Sequence, residues 1–149
     1  ARANGRRVHL ASGAIGGFDV LRTATLMSAI EASITTEKGP NSLRNTAVFS
    51  EDLLDASDKR EVFSGNARDA IALFPTKVNV AVATALATAG ADATRVSINS
   101  VPGFKGDDHR IEVRGEEVRV VVDIYSRTSA IAGWSVVALL QNLVSPITF

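Results

Sequence analysis

The chain has 149 residues, 46% hydrophobic and 21% charged, which is enough for one domain with one core and argues against disorder. Lys+Arg and Asp+Glu are both 16, so the basic excess of a nucleic-acid binder is missing. Cysteine is absent, which excludes disulfides and thiolate metal sites. No apolar run is long enough for a membrane span, and the basic start has no apolar stretch behind it to make a secretory signal. A cytoplasmic protein with neither nucleic-acid nor membrane partners is the expectation.

Ala1 to Asn4 followed by Gly5 reads as the last turn of a helix with its glycine stop, or else as a disordered terminus. Residues 6–11 alternate weakly and predict a short strand. It leads into Ser12-Gly13-Ala14-Ile15-Gly16-Gly17-Phe18-Asp19, the most informative stretch of the chain. Glycines there let backbone approach a neighbour closely, and a strand-to-helix turn points N–H groups at whatever binds. Tight strand–helix packing would need the same glycines.

Apolar residues at helical spacing predict a helix over 18–32, packed on more than one side. A strand follows over 32–36, then a loop over 37–44 containing Gly39, Pro40 and Asn41. Residues 61–64 form a strand and 67–74 a short helix stopped by Pro75. The Ala/Val-rich segment 78–89 ends at Gly90, which favours a buried helix. Residues 94–101 alternate as a strand and 102–108 are a polar loop. Residues 109–114 and 118–124 make an antiparallel hairpin around Gly115-Glu116. Thr128 or Ser129 caps a last helix over 130–143. The pattern predicts an α+β domain with helices on one face of a largely antiparallel or mixed sheet.

Several of these segments carry a family resemblance. The glycine stretch resembles the Ser-Gly-Ala-x-Gly-Gly-Leu-Asp signature of L-aspartate dehydrogenases. Phe63-Ser64-Gly65-Asn66-Ala67 is similar to the family's Phe-Glu-Gly-Ser-Ala, and Leu73-Phe74-Pro75-Thr76-Lys77-Val78-Asn79-Val80-Ala81 to its Leu-Phe-Pro-x-x-Val-Asn-Val-Ala. Asp108-His109-Arg110-Ile111 falls where the family has Asn-x-His-x-Ile, and Arg127-Thr128-Ser129 resembles its Lys-Thr-Ser. The matches run in family order over nearly the whole chain.

The resemblance implies one substrate-binding and dimerisation domain over residues 1–149. Its fold would be similar to the C-terminal domains of dihydrodipicolinate reductase and glyceraldehyde-3-phosphate dehydrogenase-like enzymes. Residues 1–5 would be the end of a Rossmann domain that is missing here, and no Gly-x-Gly-x-x-Gly fingerprint is present. The implied activity is NAD- or NADP-dependent oxidation of aspartate to iminoaspartate and oxaloacetate, a step of NAD biosynthesis. Implied partners are the dicarboxylic amino acid, the Rossmann domain and a second copy in a homodimer.

His109 is the candidate catalytic acid or base, since histidine titrates near neutral pH and matches the family's catalytic histidine. A surface histidine at a strand end is the plain alternative. Asp107 and Asp108 either orient the ring or form the turn, and Asp-Asp-His lacks a fourth metal ligand. Ala14 and Asn79 match family contacts to the nicotinamide cofactor, and Asn79 also suits a helix N-cap. Lys38, Arg127, Thr128 and Ser129 are the candidates for the substrate carboxylates, with Lys77 a weaker one; surface charges look the same in sequence. Trp134 reads as core or subunit contact rather than cofactor stacking.

Two departures bear on the substrate. Thr36-Glu37-Lys38-Gly39-Pro40 stands where the family has Thr-x-Arg-Lys-Pro-Pro, and Glu37 for arginine reverses a charge. Tyr125-Ser126 replaces Asn-Pro after a shorter loop. Competing readings are therefore a non-enzymatic dehydrogenase-derived domain that dimerises or binds a small acid, and a dehydrogenase of another amino or hydroxy acid.

Overall fold

A computed structural model describes residues 1–148. Five strands form one sheet: β1 (Ile30–Lys38), β2 (Arg60–Asn66), β3 (Thr94–Ser100), β4 (Asp107–Gly115) and β5 (Arg119–Ser126). Their order is β2-β3-β1-β4-β5. The β2–β3, β1–β4 and β4–β5 pairs are antiparallel, and β1–β3 is parallel. The sheet is therefore mixed. A parallel neighbour needs a long crossover, and β2 with helices α2 (Ala67–Leu73) and α3 (Asn79–Ala87) supplies it.

Strand alternation separates the two faces. Ala32, Ile34 and Thr36 of β1, Val96 and Ile98 of β3, and His109, Ile111 and Val113 of β4 are buried under the helices. Helix α1 (Phe18–Met27) sends Leu21 and Ala24 into this core and touches β4 and β5, while α3 lies on β1 and β3. The opposite face carries charges that pair across and along its strands. Arg110 meets Asp123 at 2.7 Å and Glu112 meets Arg119 at 2.8 Å between β4 and β5, and Glu112 also meets Arg114 along β4.

Three expectations are corrected. Residues 6–11 form no strand; Val8 and Leu10 stay exposed there. A strand exists only through a ladder partner, and weak alternation does not supply one. The first helix ends at Met27 instead of 32, because Ser28 turns extended and the β-branched run from Ile30 joins β1. Both β1 and β4 run further than their apolar patterns indicated. Glu37 and Lys38 pair with Asp108 and Asp107 as strand residues, not as loop. The first residues do form a short 3-10 turn, Arg2–Asn4, closed by Gly5 in the left-handed region.

The last helix, α4 (Ala130–Val144), has no buried residue. Trp134 is 70% exposed and Val144 85%. Trp134 is thus not core within this chain. No helix among the described residues is long and apolar enough to cross a membrane.

Candidate functional site

The glycine stretch folds as a turn between the extended N-terminal segment and α1. Gly13 and Gly17 have φ of 68° and 70°, a region costly for any residue with a Cβ. Gly17 also lies against Val122 of β5, so the turn is pinned to the sheet. The Gly13 N–H donates to Ser135 Oγ of α4 at 2.9 Å. That amide is therefore engaged within the chain rather than aimed at a ligand, and α4 is tied to the turn.

Beside the turn opens a cleft of about 400 Å³. Its wall includes Gly13, Ala14, Lys38, Asn79 and His109, which come from the turn, β1, α3 and β4. Segments separated by up to almost a hundred positions thus meet at one end of the sheet. Strand register explains the polar part of the wall. Thr36 pairs with His109 and Lys38 with Asp107 on the helix-covered face of β1 and β4.

His109 is 2% exposed, and its Nδ1 lies 3.0 Å from Thr36 Oγ1. Burial pushes its pKa down from 6.5 to about 4; the nearby Lys38 cation adds to this and Asp107 opposes it. The imidazole is neutral at pH 7. The Lys38 ammonium donates to Asp107 Oδ1 at 2.6 Å. The only other lysine of the wall, Lys77, donates to the backbone carbonyl of Arg44 at 2.9 Å.

Asn79 is the first residue of α3, with Val78 at the cap position, so it does not serve as the N-cap. Its amide makes no hydrogen bond among the described residues and lines the cleft beside Val80 and Ala83. The side chain is exposed to solvent there, and as an amide it can both donate and accept. Ala14 offers a small side chain on the adjoining wall.

Arg127, Thr128 and Ser129 lie on the exposed connection between β5 and α4 and are not part of the cleft wall. Thr128 Oγ1 accepts from the Ala130 N–H at 3.3 Å, while Ser129, at the N-cap position of α4, makes no side-chain capping bond. Glu37 points to the other side of the sheet, where Lys59 Nζ donates to it at 2.6 Å. Strand alternation thus keeps its charge away from the cleft. Neither aspartate orients the ring. Asp107 is engaged by Lys38, and Asp108 sits on the outer face. Burial raises the pKa of Asp108, and the carboxylates of Asp123 and Glu37 raise it further. The ring's partner is Thr36. Its position two residues before Lys38 in a β-branched run was the available sign that both share one strand face. Among the described residues no cluster of metal-ligating side chains occurs.

Residues 19–143 match the family described as "Aspartate dehydrogenase, C-terminal". L-aspartate dehydrogenase of Bradyrhizobium diazoefficiens is 34% identical over 95% of this chain and 54% of its own length. The Ruegeria pomeroyi enzyme is 36% identical over 95% of this chain and 54% of its length. The crystal structure of aspartate dehydrogenase from Thermotoga maritima superimposes with a TM-score of 0.79 at 31% identity, covering 96% of this chain and 56% of that one. The chain spans about half the length of the relatives it matches. With a fold and a sequence match along nearly its whole length, it belongs to the aspartate dehydrogenase C-terminal domain family.

Proposed function

We propose that this chain is the substrate-binding half of an NAD(P)-dependent L-aspartate dehydrogenase-like oxidoreductase, acting in the cytoplasm with a nucleotide-binding half. The single observation that carries this reading is the convergence of Ala14, Asn79, Lys38 and His109 on one cleft. A bound nicotinamide would supply hydride acceptance, with Ala14 and the Asn79 amide as its contacts in the wall. His109, itself buried, supplies a neutral imidazole to the cleft beside the bound substrate. Lys38 meets a substrate carboxylate only if that group competes with Asp107, which favours an anion of fixed geometry over any passing acid. Arg127, Thr128 and Ser129 serve the substrate only if the connection after β5 folds over the cleft.

The uncovered apolar side of α4 suits contact with another protein surface, and homodimer formation is part of this proposal. Sedimentation would test it, a monomeric mass at tens of micromolar counting against it.

The decisive experiment joins the chain to the nucleotide-binding half of a relative and follows NADH or NADPH oxidation with oxaloacetate and ammonia. Turnover is expected, and His109→Gln is expected to lower kcat by roughly 10²–10⁴. A folded fusion that binds NADH but turns over no amino or keto acid would sink the reading and favour a small-acid-binding module.

A further inference from the structure

The hydrogen bond between Thr36 and His109 decides more than where the ring sits. Both residues are buried, at 3% and 2% exposure. Their side chains face each other as register partners of β1 and β4. The Thr36 hydroxyl has one proton to donate, and among the described residues its only partner is His109 Nδ1, 3.0 Å away.

Two arrangements are possible for a neutral ring. In the first, Nδ1 carries the proton and donates to Oγ1. The hydroxyl proton is then left in a dry interior with no acceptor, which incurs its desolvation penalty. In the second, the hydroxyl donates to Nδ1, both groups are satisfied, and the imidazole proton sits on Nε2. Nε2 is not among the buried polar atoms lacking a partner, and the ring lines the cleft, so Nε2 is the nitrogen that the cleft sees. The charged groups facing the ring, Lys38 and Asp107, are engaged with each other and leave this choice to Thr36.

We infer that Thr36 is a positioning residue that holds His109 in the Nε2–H tautomer, so that the imidazole meets a bound substrate as a hydrogen-bond donor and not as the acceptor of its proton. The tautomer itself stands independently of the dehydrogenase reading; only what the donor does there rests on it. In that setting the N–H pairs with the keto oxygen of the dicarboxylic acid, stabilising the charge that develops on that oxygen as ammonia adds to its carbon.

The test is the long-range ¹H–¹⁵N correlation spectrum of the ¹⁵N-labelled 149-residue chain at pH 7, with exposed His9 as the internal reference. The expected pattern has a pyridine-type Nδ1 and a pyrrole-type Nε2 on His109. A pyridine-type Nε2 overturns the inference, whatever the variants do. Thr36→Val keeps the shape and removes the donor, and is expected to lower the tautomer ratio at least about tenfold, or ~1.4 kcal/mol. Thr36→Ser is expected to restore it. A folded Thr36→Val with the native ratio overturns the role of Thr36. If that variant does not fold, the wild-type pattern and its retention in Thr36→Ser decide. No cofactor or turnover enters the measurement, so an inactive fusion leaves the tautomer standing, and a wrong tautomer leaves the dehydrogenase reading standing.

Discussion

Burying His109 as a neutral ring makes the stability of the domain depend on pH in a defined window. Its pKa is about 4 in the folded chain and 6.5 when unfolded. Above pH 6.5 both states are neutral at this site and the full stability is present. As pH falls from 6.5 towards 4, the unfolded state binds a proton that the folded state refuses, and stability drops. Below about pH 4 both states are charged and the loss saturates. At 1.36 kcal/mol per pH unit, the difference between 6.5 and about 4 amounts to roughly 3 kcal/mol. That is a sizeable share of a typical domain stability of 5–15 kcal/mol. The assay is urea unfolding at half-unit steps from pH 7.5 to 4, for the natural chain and for His109→Gln. Carboxylates held low by arginines, such as Glu112 between Arg114 and Arg119, also lose stability in acid, but equally in both proteins. The difference in slope between the two curves isolates the histidine, and a constant offset from the substitution drops out. Parallel curves between pH 6.5 and 4 would refute the claim that the ring is buried uncharged.

Replacing Gly17 by alanine places a Cβ 2.7 Å from Val122 Cγ2 at a φ of 70°. Left-handed strain of roughly 1–2 kcal/mol plus overpacking of roughly 1–3 kcal/mol predicts a clear loss of stability in thermal unfolding, and an unchanged Tm would contradict the turn geometry. Lys38→Met removes the cation that helps to hold His109 neutral, so the imidazole is expected to titrate at higher pH by NMR; a lower value would contradict the electrostatic account. Asn66 caps α2 by accepting from the Asp69 N–H at 2.9 Å, so Asn66→Ala is expected to cost about 1 kcal/mol and lower Tm by roughly 2–4 °C.

Local chemistry was enough to read much of this molecule from its residues. The β-branched run of β1, the stop at Pro75, the end of α3 before Gly90 and the hairpin at Gly115 are all short-range effects, set by neighbours a few positions away. The glycine stretch and the Asn79 and His109 segments were likewise legible, because a family resemblance is itself written in contiguous residues. What only the tertiary structure decided is which of these groups meet. That β1 runs parallel to β3, that residues 6–11 find no strand beside them, and that β1 continues through Lys38 all depend on a ladder partner far away in the chain. The same register pairs Thr36 with His109 and Lys38 with Asp107, sends Glu37 and Asp108 to the opposite face, and leaves Arg127 to Ser129 outside the cleft wall. In a strand, a one-residue difference in position chooses the face, and sequence spacing alone does not say which face the helices will cover.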